Sequence, residues 1–444
     1  MKSADLKIGF WEKAPRFLRV FTIKEVLISA QSVLKRATDG TRKKAVFHYA
    51  SSSLVCQTLR FFGVVVTMRV IGPEQFGLFA QATLLMSLAG LCREAGQSGA
   101  LIAYQGTDLR YVYFNFQMNF LLGLFTTALV FASSLAPQLL PDDLRRYVWV
   151  VALIPFFESL TLTNTLILQK RFRFKILGVA EIVSLVAWLA TTLLTIGHTP
   201  GFLVLLFAQL AENLCRCLLL FAVARFQFVG FSWGKDLTYY YFSRFAKPTI
   251  VWVVLQSLLM RLDFLLLTMF SSTRELGSYE RLAQFTRIPV SLTVNLCDKV
   301  LVNAYSQDQN DQSALRKLFG RSMLIIAGAV VLATIAVSIG LLIFLRPLIG
   351  PGWAAIIMRL WWFSLPVTLM SPLYANLTLF FSGLGMQTQL LRNAALHLAI
   401  VLVLGSFLAG PFGAAGLLVA NSVSIGLVLC YQLLTARARL MATR

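Results

Sequence analysis

Histidine, cysteine and acidic residues are scarce in this chain. The three histidines, His48, His198 and His397, lie far apart, and no Asp-x-Asp pair is present, so a metal-dependent sugar transferase finds no ligand set here. The six cysteines, Cys56, Cys92, Cys215, Cys217, Cys297 and Cys430, all fall in apolar stretches without metal-ligand spacing and read as small packing residues. Apolar and polar residues do not alternate with period two, which excludes an outer-membrane barrel. Acids number 19 against 40 Lys and Arg, a formal net charge of +21. The basic residues follow the breaks between apolar stretches and form no folded basic domain, so nucleic acid is not the expected partner. The first 44 residues lack an uninterrupted apolar core, being broken by Arg19, Lys24 and Glu25, and are not expected to be a signal peptide.

What is present is apolar length. The chain is 57% hydrophobic, with a mean hydropathy of +0.73. A helix needs about 20 mostly apolar residues to cross a bilayer, and it satisfies its own backbone groups there. From His48 onward the sequence divides into twelve such pieces, near 46–70, 76–104, 111–135, 146–168, 176–197, 202–225, 247–271, 275–303, 322–346, 353–381, 389–409 and 412–435. The expected fold is an all-α polytopic membrane protein. Lys and Arg crowd the segment before the first span, the breaks after spans four, six and eight, and the tail. The opposite breaks carry little beyond Arg145, Arg146, Arg274 and Arg346. By the positive-inside rule both termini are cytoplasmic. Phe17, Val20, Phe21, Val26 and Leu27 fit a helix lying on the cytoplasmic surface, its basic residues near anionic headgroups; a disordered tail is the other reading.

The chain also repeats itself. The turn closing the first span reads Gly72-Pro73-Glu74-Gln75-Phe76-Gly77-Leu78-Phe79. A reworked copy, Ser272-Thr273-Arg274-Glu275-Leu276-Gly277-Ser278-Tyr279, follows 200 positions later. Pro73 sits where a helix tolerates proline first, and Ser272 with Glu275 has capping-box spacing, so both turns start a helix. Pro155 precedes Asn164 by nine residues, as Pro366 precedes Asn376 by ten. Six spans plus six give parallel repeats around a central cavity, the layout of a transporter whose lobes rock about a central site. The expected organisation is a basic segment 1–44, a lobe 45–225, a linker 226–246, a lobe 247–436 and a tail 437–444.

Ionisable side chains inside spans are costly, on the order of 3 kcal/mol each at the bilayer centre, and each needs a reason. Glu212 and Arg216 can pair four apart on one helix face. Arg281 and Arg359 lie near outer ends and can snorkel. Arg60, Arg93, Arg261 and Arg287 fall in the first two spans of each half, so the repeat gathers them around the cavity. Guanidinium groups there suit an anion, phosphate above all. The alternative is that they pair with Glu94, Glu158 and Asp263 and hold the lobes together.

Arg69-Val70-Ile71-Gly72-Pro73-Glu74-Gln75-Phe76-Gly77-Leu78-Phe79-Ala80 resembles the first-loop signature of bacterial polysaccharide biosynthesis membrane proteins, the oligosaccharide flippases of the multidrug/oligosaccharidyl-lipid/polysaccharide exporter superfamily. Arg93 to Ile102 resembles the glycine-rich end of their second helix. Leu168 to Phe174 resembles the loop after their fourth, and Leu262-Asp263 with Leu276-Gly277-Ser278-Tyr279 the start of their second half. Asn303 stands where the family often has proline. The resemblance implies flipping of undecaprenyl-pyrophosphate-linked oligosaccharide across the bacterial inner membrane, with membrane lipids, a polysaccharide polymerase and glycosyltransferases as partners and no cofactor. Arg60, Arg93, Arg261 and Arg287 would hold the pyrophosphate. Glu94, Glu158 and Asp263 would be coupling-ion sites for a proton or sodium. The rivals are a drug or cation antiporter of the same superfamily, disfavoured by the basic lean of the in-span charges, a membrane polymerase, ligase or glycosyltransferase, disfavoured by short outward breaks, and a non-transporting scaffold.

Overall fold

The structure is a computed structural model that describes residues 40–92, 109–136, 140–171, 173–224, 247–307, 309 and 311–441. The expectations for the basic N-terminal segment up to residue 39, for the linker 226–246 and for Arg93 and Glu94 lie outside the described residues. All regular structure among the described residues is helical. The first half supplies α1 (Gly40–Val70), α2 (Pro73–Ala89, extended by a short turn Gly90–Cys92), α3 (Leu109–Ser133), α4 (Val148–Lys170), α5 (Phe174–Thr195) and α6 (Gly201–Ala224). The second half supplies α7 (Lys247–Phe270), α8 (Thr273–Gln307), α9 (Gln312–Ile349) and α10 (Pro351–Gly383). A last element, Gln387–Met441, is broken at Gly413, where φ is +56°; the parts before and after the break are α11 (387–412) and α12 (414–441).

Local chemistry sets these boundaries. Pro73 opens α2 behind Gly72, and Pro351 opens α10 behind Gly350. Asp311 starts α9 about ten residues earlier than hydropathy alone indicates. Its carboxylate accepts the N–H groups of Ser313 at 2.9 Å and Ala314 at 3.1 Å, which satisfies two otherwise free donors of the first turn. The basic residues Arg316, Lys317 and Arg321 then ride on the polar start of the helix.

By length and composition, seven helices among the described residues are apolar enough to cross a membrane, with Gln387–Met441 counted as one. On α9, Leu332, Ile335, Ile339, Leu342, Ile343 and Phe344 are all exposed, a stripe suited to acyl chains.

The halves join through α2 and α8. A Cβ added to Gly77 would lie 1.9 Å from the carbonyl oxygen of Thr273, and one added to Gly277 would lie 1.9 Å from that of Pro73. The relation is reciprocal: each residue of one contact is its counterpart in the other shifted by 200 positions, as a two-fold axis between the first turns of α2 and α8 demands. Only glycine permits backbones so close. Around this crossing, Trp353 at the start of α10 donates its indole N–H to the Ile71 carbonyl at 3.0 Å and stands edge-on to Phe76, with ring centres 5.5 Å apart. A core drawn from both halves surrounds it, including Met68, Phe76, Leu84, Leu262, Leu276, Leu282 and Phe285.

Each half also buries a polar cluster. In the first, Asn119 donates to Asn115 at 3.1 Å and to Thr163 at 2.8 Å, joining α3 to α4. In the second, Tyr305, Ser322 and Asn376 close a triangle across α8, α9 and α10, with sides of 2.6, 3.1 and 3.1 Å.

Candidate functional site

Below the glycine crossing, charged residues from both halves converge. Arg261, on α7, has its guanidinium 5.8 Å from the ring centre of Phe264, one turn further on. It lies within electrostatic reach of Arg287 on α8, of Asp263 and Glu280, and of Glu158 on α4 of the other half. Arg287 is exposed. Two arginines thus share one field between the halves, with Glu158 as the acid that reaches across.

Asp263 is the second element. The Tyr279 hydroxyl donates to its Oδ2 at 2.5 Å, and Asn421 on α12 donates to that same hydroxyl oxygen at 3.3 Å. The other carboxylate oxygen of Asp263 is buried with no hydrogen-bond partner among the described residues. A buried carboxylate with one free oxygen can take a proton or coordinate a small cation.

Arg60 departs from the expected free cavity lining. Its Nη2 lies 3.0 Å from Oε1 of Glu212, with the arginine side chain 49% exposed and the glutamate 15%. Glu212 also feels Arg216, Glu181 and Glu158. The expected pairing of Glu212 with Arg216 is therefore replaced by one with Arg60, since α1 brings a guanidinium closer than the same-helix neighbour. Arg281 was expected to snorkel and does not: it is 4% exposed. Its guanidinium sits 4.1 Å from the Phe76 ring centre, bonds to Glu280 through Nε and donates to Gln284 at 3.2 Å. A ring from the opposite half shields it, a cation–π contact that no local pattern reveals.

Of the residues anticipated from sequence, Arg261, Arg287, Glu158 and Asp263 come together. Arg60 joins a neighbouring cluster within the first half. Sequence reasoning missed Glu212 as the partner of Arg60, and Tyr279 and Asn421 as partners of Asp263. Tyr279 closes the repeated turn, which was a usable signal; Glu212 and Asn421 carried none.

This all-helical architecture and its internal charges define a multi-pass membrane protein. Its fold is similar to that of an inward-facing MATE family transporter of the MOP superfamily, at a TM-score of 0.68 and 13% identity, covering 87% of this chain and 95% of that one. It is similar also to the lipid II flippase MurJ in an inward closed conformation, at 0.67 and 15% identity over 88% and 87% of the two chains. A MOP superfamily transporter from Pyrococcus furiosus Vc1 (DSM3638) aligns at 0.58 with 14% identity, over 90% of this chain and 96% of that one. The sequence itself matches the polysaccharide biosynthesis protein family over residues 66–358, and the chain belongs to that family. A curated relative, the succinoglycan biosynthesis transport protein ExoT of Rhizobium meliloti (strain 1021), is 25% identical over 261 residues, which is 57% of this chain. The match spans about half of that relative's length, 51%.

Proposed function

We propose that the chain is a flippase of the bacterial inner membrane that carries undecaprenyl-pyrophosphate-linked oligosaccharide from the cytoplasmic to the periplasmic leaflet by alternating access. Twelve spans form two six-helix lobes, 45–225 and 247–436, with both termini cytoplasmic. The observation that carries this reading is the reciprocal contact of Gly77 and Gly277. Two repeats meeting about a local two-fold axis form the construction in which one end can open as the other closes. In the proposed orientation this crossing shuts the periplasmic end.

Arg261 and Arg287 hold the pyrophosphate, since two guanidinium groups sharing one field are relieved by a multivalent anion between them. Arg60 joins when the substrate displaces Glu212 from it, and Arg93 completes the set. The lipid tail stays in the bilayer between the lobes. Asp263, with its free oxygen, is the coupling-ion site in the second lobe, and Glu158, placed between the charge clusters of both lobes, relays occupancy of one to the other; Glu94 is a further carboxylate for this role. Membrane potential adds ~2.3 kcal/mol per charge per 100 mV. The family and the succinoglycan transport relative support a lipid-linked saccharide as substrate, and a polymerase and glycosyltransferases as neighbours in the pathway.

The test is export of lipid-linked polysaccharide in a host lacking its own flippase, with matched membrane levels of the intact protein and of single Arg60→Ala, Arg93→Ala, Arg261→Ala and Arg287→Ala variants. Rescue by the intact protein with loss in Arg261→Ala and Arg287→Ala is the expected result. Rescue that survives all four changes removes the arginine site, and efflux of cationic drugs by the intact protein would replace the substrate class.

A further inference from the structure

The second half holds an open pocket at the corner where α12 begins. In the first half, the turn into α6 is closed: Gly201 packs beneath Ile71 and Gln75, where an added Cβ would lie 2.7 Å from a methyl carbon of Ile71. Gln75 accepts the N–H of Phe202 through Oε1 at 3.2 Å. In the second half, Glu275 does the same service for α12, accepting the Ala414 N–H at 3.0 Å. Beside it, however, the break at Gly413 leaves a cavity of about 940 Å³ between the α7–α8 turn, α10 and the α11–α12 corner. Arg359, eight residues into α10, lines this cavity.

Arg359 is exposed and makes no hydrogen bond or ion pair among the described residues. Glu275, the acid that shares the cavity, engages the α12 backbone through Oε2. The cavity's remaining polar lining is Ser271 and Ser272, while Phe270, Phe363 and Phe412 line its apolar side and are exposed on the surface that faces acyl chains. One uncommitted guanidinium roughly 12 Å below a helix end, at 1.5 Å per residue, beside hydroxyls and a wall of phenylalanine, is complementary to an amphiphile with an anionic head.

We propose that this cavity is a binding site for a phosphate-bearing lipid. Arg359 grips the phosphate, Ser271 and Ser272 donate to its oxygens, and the chain runs along Phe363 and Phe412 into the bilayer. The shared chemistry fits an anionic phospholipid and a polyprenyl phosphate alike. Its assignment to the periplasmic leaflet rests on the orientation proposed above; the site itself does not.

Binding of phosphatidylglycerol, farnesyl phosphate and phosphatidylcholine to the full chain in detergent, read by native mass spectrometry, tests this. Variants are Arg359→Gln, Arg359→Lys and Val419→Trp, the last filling the cavity from its wall without touching a charge. The expected result is retention of one or both anionic lipids over phosphatidylcholine, weakened about tenfold in Arg359→Gln and in Val419→Trp and kept in Arg359→Lys. Preference for farnesyl phosphate identifies a carrier-lipid site, and preference for phosphatidylglycerol a bulk-lipid site. Equal retention of all three lipids, or anionic retention unchanged in both Arg359→Gln and Val419→Trp, overturns the proposal. Because binding is read without transport, failure here and failure of the flippase reading are separate outcomes.

Discussion

The sixth helix of each half starts under the same hand, and the two corners nevertheless end differently. Gln75 and Glu275, 200 positions apart, each reach over to accept the first free N–H groups of α6 and α12. The neutral amide serves a corner packed shut beneath Ile71; the carboxylate serves one broken open at Gly413. A repeat can therefore conserve a capping contact while one copy is freed for other use. The buried polar clusters teach the same lesson in reverse. In the second half Asn376 is fully engaged with Tyr305 and Ser322. In the first, neither amide atom of Asn164 has a hydrogen-bond partner among the described residues.

The sharpest way to break this comparison is at the axis itself. Gly77→Val and Gly277→Val each force a side chain onto a backbone carbonyl, so each should reduce export at least about tenfold at matched membrane levels. Gly320→Val, where nothing lies within 4 Å of the added carbon, should leave export unchanged. Unequal effects of the first two would mean that the halves are not mechanically equivalent. Next comes Asn376→Leu, which strands two buried hydroxyls and should destabilise the protein by about 1–2 kcal/mol, while Asn164→Leu should be near neutral. Thermal unfolding in detergent separates them. Glu275→Ala should cost about 1 kcal/mol through loss of the α12 cap and its favourable charge, with Glu275→Gln recovering most of it and Gln75→Ala costing less. The smallest effect is at Asp311. The hydrogen bond from the Ala314 N–H, followed by those from Ser313, holds its carboxyl below the ordinary value. A depressed value in the folded state means that its stabilisation is complete at neutral pH and is lost as pH falls through that value. The melting difference between the protein and Asp311→Ala should thus shrink below about pH 4.

Much of this architecture was legible in the sequence because it rests on local rules. The repeated turn marked the starts of α2 and α8, but it did not show that its glycines are where the halves touch, which depends on how the two helices cross. Proline positions fell inside α4 and α10 as counterparts. Ser272 does accept the Glu275 N–H at 3.3 Å, half of the anticipated capping box. The other half is missing because the Glu275 carboxylate turns to Ala414, a contact set by tertiary packing. The site was less legible for the same reason. Charge counting drew Arg261, Arg287, Glu158 and Asp263 together, but it could not see that Glu212 reaches Arg60 from 152 positions away, or that Phe76 covers Arg281.

The glycine crossing has a mechanical consequence. At the crossing itself the contact is mostly backbone on backbone, with the Thr273 methyl beside Gly77, and the side chains that interlock the halves lie in the core around it. Such a contact works as a bearing: it supports load and offers little friction. Resistance to separation then falls to its flanks, where the Trp353 indole holds the Ile71 carbonyl and the Phe76 ring covers Arg281. In the proposed rocking motion those two contacts are a latch beside the bearing, the pair that must part for it to turn.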